Sequence, residues 1–293
     1  MTLDIGPSPT PSVAATADPV RRLIPAAGGL GDLRQHTERW AAVRSGELGS
    51  VHSWELVTAV DGPGTRLIYF LSGCALRCQY CQNPDTWKRA DGTPTTIGQV
   101  TARIDRYAPL LRAAHGGITV SGGEPLLQPA FLRRILRHGK QRGLHTALDT
   151  SGYLGAHADQ AMLDDIDLVL LDVKSGLPDT YRTVTGRDLA PTLEFGRRLA
   201  ARDQGIWIRF VMVPGLTDAI DNVDAVADYA ASLQRLGDGR AVQRVEILPF
   251  HQMGRSKWRA LNIPYPLQDS APPDETLMQR VRGQFLTRGL TVF

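Results

Sequence analysis

The stretch "RLIYFLSGCALRCQYCQNPDTW", residues 66–87, joins two signals that together decide the architecture. Its first part is a short apolar run closed by Ser-Gly, the pattern of a strand buried on both faces. Directly after it come Cys74, Cys78 and Cys81, which are all the cysteines among the 293 residues. Five further runs resemble the first: "GITVS" (117–121), "HTALD" (145–149), "DLVLLDV" (167–173), "WIRFVMV" (207–213) and "RVEILPF" (244–250). Helical stretches such as "IGQVTARIDRYAPLLRAA" and "PAFLRRILRHGKQRG" separate them, the second stopping at Gly143 as a helix terminus would. Alternating strands and helices predict an α/β fold with a parallel sheet, doubly wound or barrel-like. Six strands suit an open, partial (β/α)6 barrel, since a full eight-unit barrel would leave little chain for its last two units.

Composition narrows the class. At 42% hydrophobic and 22% charged residues the chain is ordinary for a globular protein, and its net charge of +3 is mild. A core of this size needs no disulfides. No apolar run reaches the roughly eighteen residues of a membrane span. The start, "MTLDIGPSPTPSVAATADPV", lacks the basic and apolar regions of a signal peptide. These features predict a cytoplasmic protein without membrane association. The basic segment "RRILRHGKQR" has helical spacing and fits a solvated face better than a nucleic-acid surface, so no nucleic-acid partner is expected. Residues 1–45 read as a poorly ordered extension with a short helix around "DLRQHTERWAAVR", and residues 46–293 as the barrel domain.

The special residues sit at strand ends. The cysteines follow the first strand, "SGGEP" (121–125) ends the second, "DTSG" (149–152) the third, "DVK" (172–174) the fourth, "VPG" (213–215) the fifth and "PFH" (249–251) the sixth. In parallel α/β folds, sites assemble at the carboxyl ends of strands, so these residues converge on one side of one molecule.

The spacing C-x3-C-x2-C constrains the chemistry. Structural zinc takes four protein ligands, and here a distant His52 or His251 would have to supply the fourth. A cubane iron–sulfur cluster differs, because three thiolates fill three irons and leave the fourth open to a small molecule. Three unrelated loop cysteines are the plain alternative, which their clustering disfavours. For "SGGE" the alternatives are a strand-to-helix turn and a close backbone approach to a ligand. Asp149, Asp172 and Lys174 could equally be helix caps or surface charges, and His251 a core histidine.

Taken in order, "VDGPGTR", "GCALRCQYCQNPDTW", "SGGEPLLQ", "LDTSG", "LVLLDVK", "WIRFVMVPG" and "LPFHQMGRSKW" resemble the radical S-adenosylmethionine superfamily, and within it the pyruvate formate-lyase activating enzymes. The resemblance covers about residues 49–293. It implies a [4Fe–4S] cluster on Cys74, Cys78 and Cys81, with S-adenosylmethionine chelated to the open iron and cleaved to methionine and a 5′-deoxyadenosyl radical. It implies cofactor contacts at Tyr80, Cys81, Gln82, Gly122, Gly123, Glu124, Asp149, Asp172, Val173, Lys174, Val213 and His251. It also implies a monovalent cation held by Asp149, Thr150, Asp172 and the Leu170 carbonyl, hard oxygen donors that suit such an ion. Asp61 would border the protein-substrate site and count among the catalytic residues. Two departures are visible: Gln82 stands where the family often has His, and Leu170 where a compared member has Met, although a backbone ligand tolerates that change.

The implied substrate is a backbone glycine of pyruvate formate-lyase or a related glycyl radical enzyme. No cysteine-rich insert follows the cluster motif, which favours this type over activases of other glycyl radical enzymes. Reduced flavodoxin or ferredoxin would supply the electron, and the chain would act as a monomer. Two rivals stay open here: a non-catalytic iron–sulfur or zinc module, and a radical enzyme acting on a small molecule.

Overall fold

The computed structural model describes residues 30–58 and 61–293. The chain divides into two units, Met1–Ala41 and Ala42–Phe293. Helix α1 (Leu30–Ser45) supplies the helix expected around "DLRQHTERWAAVR". The expectation of poor order in residues 1–29 lies outside the described residues.

The rest of the chain alternates. Strands β1 (Leu48–Thr58), β2 (Thr65–Leu71) and β3 (Thr93–Thr96) lead to α2 (Ile97–Ala113). Then follow β4 (Gly117–Gly122), α3 (Pro129–Gln141), β5 (His145–Thr150), α4 (Gln160–Asp164) and β6 (Leu168–Asp172). Helices α5 (Pro178–Thr185) and α6 (Ala190–Ala200) precede β7 (Gly205–Met212), and α7 (Ile220–Leu233) precedes β8 (Val242–Pro249). Helices α8 (Arg255–Ala260) and α9 (Glu275–Leu286) close the order.

One sheet holds the strands in the order β3-β1-β2-β4-β5-β6-β7-β8. From β2 to β8 every neighbouring pair is parallel, which gives the six expected strands. Beyond β2 the sheet gains β1 and β3, both in antiparallel pairings that the sequence pattern did not reveal. At the other end, residues 291–293 run along β8, with the Val245 N–H donating to the Thr291 carbonyl at 2.8 Å. That pairing covers an edge which would otherwise leave backbone groups unmet.

The local reasons are ordinary. In β6, Leu168, Val169, Leu170 and Leu171 are all buried, as befits a strand covered on both faces. A capping box between Thr96 and Gln99 starts α2. Gly186, at φ 72°, ends α5 in the left-handed conformation that glycine adopts without strain. On α3 and at its C-cap, Arg142, the basic side chains meet carboxylates from neighbouring elements: Arg133 with Asp159, Arg134 with Glu47, Arg137 with Asp165, Lys140 with Asp167 and Arg142 with Asp105. Among the described residues no helix is long and apolar enough to cross a membrane.

Arg66 is fully buried at the start of β2. Its Nε donates to Thr119 Oγ1 at 3.0 Å, its Nη1 lies 3.1 Å from His145 Nδ1, and its Nη2 donates to the Ile118 carbonyl. Thr119 Oγ1 donates in turn to the Asp61 carbonyl at 2.7 Å. A buried guanidinium with carbonyl partners thus ties the turn before β2 to the beginnings of β4 and β5. Burial lowers its pKa to about 10.

Candidate active site

Strand register carries polar side chains into the apolar sheet. Asp172 pairs with Arg209, and Arg209 pairs with Glu246, on three adjacent strands. Beside them lies a cavity of about 360 Å³, within the usual size range for small-molecule sites. The loop after β2 contributes Cys74, Cys78, Tyr80, Cys81 and Gln82, and the end of β4 contributes Gly122 and Gly123. Asp149 and Thr150 come from the end of β5, Asp172 and Lys174 from the end of β6, and Asp61 from the turn before β2. Glu124, Leu170, Val173, Val213 and His251 do not line it. Val60, the first residue of "VDGPG", lies outside the described residues.

The cysteine loop is fixed at its start and along its length. The Gly73 N–H donates to the Thr86 carbonyl (2.6 Å), and the Cys74 N–H to the Trp87 carbonyl (3.1 Å). The N–H groups of Arg77 and Gln79 donate to the carbonyls of Thr185 and Val184 at the end of α5. The Trp258 indole donates to the Cys81 carbonyl at 2.7 Å, and Trp258 packs edge-on to Trp87 with centroids 5.0 Å apart. Lys257 Nζ reaches Asn83 Oδ1 (2.8 Å) and Asp85 Oδ2 (3.0 Å), and Asp85 Oδ2 also meets His52 Nε2 at 2.9 Å. His52 is therefore engaged with a carboxylate outside the cavity. His251 Nε2 lies 2.7 Å from the Gln82 side-chain amide. Segment 251–258 so clasps the loop that bears the last cysteine.

The two glycines of "SGGE" are required by the chain's own backbone. A Cβ on Gly122, whose φ is 121°, would stand 2.3 Å from Leu71 backbone atoms, and one on Gly123 would stand 2.4 Å from the Gly73 carbonyl oxygen. Glu124 turns inward. Its carboxylate accepts from Thr150 Oγ1 (2.6 Å), Ser151 Oγ (2.5 Å), the Ser151 N–H (3.1 Å) and the Leu126 N–H (3.2 Å). Burial raises its pKa. The side chain knits the end of β4 to the end of β5 beside the cavity. Val173 is buried, and its N–H donates to the Arg209 carbonyl at 2.9 Å. Val213 packs in an apolar cluster with Tyr80, Val184, Phe250 and Leu267. The Leu170 side chain packs with Ala147, Leu168 and Trp207.

Arg209 is the charged residue that sequence reasoning missed. Its Nη1 lies 2.8 Å from Asp61 Oδ1 and 3.6 Å from Asp149 Oδ1, and its Nε donates to Glu246 Oε2 at 2.9 Å. Burial works against its charge, but Asp149, Asp61, Asp172 and Glu246 overcome that and raise its pKa. Burial pushes the Asp149 carboxyl up to about 7, although Arg209 pulls it down. Lys174 Nζ donates to Asp172 Oδ2 at 2.6 Å; burial opposes its charge, and the carboxylate holds its pKa well above the ordinary value. A lone Arg within "WIRFVMV" and a lone Glu within "RVEILPF" were the available signal, because a buried charge needs a partner.

The donor set fits an iron–sulfur cluster. Three thiols face one cavity, and burial pushes each upward in pKa, Cys74 to about 12. Such thiols become ligands only where a metal displaces their protons. A four-iron cluster takes one thiolate at each of three irons, and the three thiols here come from one short loop. Two residues of the lining each carry a buried polar atom without a hydrogen-bond partner in the protein, Tyr80 OH and Asp149 Oδ1.

Residues 60–183 match the family model of the 4Fe-4S single cluster domain. A radical SAM methyltransferase from Sphaerobacter thermophilus shares the fold, with a TM-score of 0.52 at 17% identity over 88% of this chain and 80% of its own. Six parallel strands of one α/β sheet, with three cysteines after the first of them, thus give this chain the fold of that enzyme. The pyruvate formate-lyase-activating enzyme of Staphylococcus epidermidis is 40% identical over 235 residues, covering 78% of this chain and 91% of its own. Pyruvate formate-lyase 1-activating enzyme of Escherichia coli (strain K12) is 36% identical over 238 residues, covering 80% and 94%. The chain belongs to the pyruvate formate-lyase-activating enzyme family.

Proposed function

We propose that this chain cleaves S-adenosylmethionine reductively at a [4Fe–4S] cluster and removes a hydrogen atom from a backbone glycine of pyruvate formate-lyase or a related glycyl radical enzyme. The observation that carries the reading is the convergence of Cys74, Cys78 and Cys81 with Asp149, Asp172 and Lys174 on one cavity. Cys74, Cys78 and Cys81 would hold the cluster. When bound, the cluster and S-adenosylmethionine supply the electron and the carbon radical that the hydrogen abstraction needs.

The chain's own residues bind and orient. Asp149, Asp172 and Lys174 present both signs of charge, which matches the amino and carboxylate groups of an amino acid. Tyr80 brings an aromatic side chain to the same wall. Gln82 and the Gly122–Gly123 backbone complete that wall, and Glu124 and Val173 act through the strand ends they fix. Val213 and His251 back Tyr80 and Gln82 respectively. The oxygen atoms of Asp149, Thr150 and Asp172, with the Leu170 carbonyl, are the donors for a monovalent cation. Asp61, which pairs with Arg209, would be the residue that an incoming peptide meets.

The electron donor of this reading is reduced flavodoxin or ferredoxin, and the acting species is the monomer. The test is anaerobic incubation with S-adenosylmethionine, dithionite and pyruvate formate-lyase, followed by electron paramagnetic resonance. A glycyl radical signal is expected. S-adenosylmethionine cleavage without any such signal would redirect the reading to a small-molecule substrate.

A further inference from the structure

Cys74, Leu76, Cys78 and Tyr80 line the cavity, whereas Ala75, Arg77 and Gln79 between them do not. Alternate side chains of the segment therefore turn to the cavity and away from it. Its outer face is cationic. Exposed Arg77 donates through Nη1 to the carbonyls of Cys74 (2.8 Å) and Leu76 (2.7 Å), and its guanidinium lies 4.9 Å from the Trp87 ring centroid. Exposed Arg187 donates through Nε to the Ala75 carbonyl at 2.8 Å. Lys88, also exposed, follows Trp87. None of these three forms an ion pair with a carboxylate among the described residues, while nearby Arg182 is engaged by Asp179 and Asp188.

Carbonyl partners hold the two guanidinium groups in place without cancelling their charge. Their ordering is settled before any partner arrives, which lowers the entropic cost of binding. Their carbonyl partners, Cys74, Ala75 and Leu76, belong to the loop that bears the thiols, so these charges stand on the cysteine loop itself. We propose that Arg77, Lys88 and Arg187 form the docking face for an acidic one-electron donor protein. This rests on the reading that the three cysteines hold a redox cluster. In the transfer the donor's reduced cofactor loses one electron and is oxidised, and the cluster gains that electron and is reduced. No bond forms or breaks, and no proton has to cross this face.

The experiment uses the reconstituted full chain and purified oxidised flavodoxin, an acidic probe, titrated calorimetrically at low and high salt. One variant combines Arg77→Gln, Lys88→Gln and Arg187→Gln, which removes charge but keeps N–H donors for the loop carbonyls. A second, Lys88→Glu, touches no hydrogen bond of the loop. At low salt the triple variant should bind about tenfold more weakly or worse, with a flattened salt dependence, and Lys88→Glu should weaken binding severalfold. Iron content and dithionite-driven cleavage should match the parent in both. Parent-like affinity and salt dependence in both variants would overturn the proposal. So would lost affinity for pyruvate formate-lyase with flavodoxin binding retained. Dithionite-driven cleavage by the parent tests the cysteine reading separately, because it needs no docking.

Discussion

The indole N–H of Trp258 donates to the carbonyl oxygen of Cys81 at 2.7 Å, across 177 positions of sequence. It joins α8 to the last cysteine, and Trp87 and Tyr265 pack against the same indole. Trp258→Phe keeps the ring contacts and removes one hydrogen bond, so the apo-protein should lose about 1 kcal/mol in urea unfolding. Trp258→Ala also opens a cavity and should cost about 3–5 kcal/mol. An unchanged Trp258→Phe midpoint would mean that water replaces the indole at no cost.

Each cysteine should be needed for the cluster. Cys74→Ala, Cys78→Ala and Cys81→Ala each leave only two of the three thiols in the cavity. After reconstitution, visible absorption and iron content should fall sharply, and S-adenosylmethionine cleavage should be lost. Full cleavage by any one variant would rule out three-cysteine ligation.

Lys174 and Asp172 form a partly buried pair, so removing the cation has two consequences. S-adenosylmethionine binding should weaken by about 1.5–3 kcal/mol, the range for hydrogen bonds to charged groups. The apo-protein should also lose stability, because Asp172 is left without its partner. Equilibrium binding and urea unfolding of Lys174→Ala measure both. An unchanged dissociation constant would take Lys174 out of the binding site.

How much of this was legible follows from what each residue signals locally. The six parallel strands announced themselves through short runs of Val, Ile and Leu. β1 and β3 did not: "LGSVHSWELVT" mixes polar and apolar residues, and "TPTT" is short, exposed and carries a proline. Residues at strand ends were legible as a site because topology alone collects them there. Arg209 and Trp258 were not. Arg209 sits inside a strand and acquires its role from Asp61 and Glu246, partners fixed only once the strands are in register. Trp258 lies on a six-residue helix whose place beside Cys81 no local pattern encodes.

His145 gives a pH dependence with a definite sign. Its Nδ1 faces Arg66 Nη1, a donor, so the ring is held as an acceptor at that atom. Burial, and then the Arg66 charge, lower its pKa from 6.5 to about 4. Between those values the unfolded chain binds more protons than the folded one, so stability rises with pH across that window. The contribution is complete above the unfolded value and is lost as pH falls toward about 4. His145→Gln removes the titration, and the apo-protein variant should show a shallower stability slope between pH 4.5 and pH 6.5 (about the window set by that shift). Equal slopes for parent and variant would assign the acid sensitivity to other groups.

Asp61 shares Arg209 with Asp149 and Glu246, which separates its role from theirs. Removing Asp61 leaves the guanidinium two carboxylates, so Asp61→Ala should cost about 1–3 kcal/mol of stability and still fold. Its effect on catalysis should be selective. Asp149 is proposed to meet the cofactor, while Asp61 stands at the turn before β2 and is proposed to meet the peptide. Asp61→Ala should therefore impair glycyl radical formation more than uncoupled S-adenosylmethionine cleavage. Both are measured on one preparation, with dithionite for the uncoupled reaction and a short glycine-centred peptide for the coupled one. Arg209→Lys offers the complementary change, because it keeps the charge and loses the fork that spans Asp61 and Glu246. If the pair acts as a unit on the peptide, the double variant should be scarcely worse in the coupled reaction than either single one. Additive losses would separate the two residues, and equal loss of coupled and uncoupled reactions in Asp61→Ala would move Asp61 into cofactor binding.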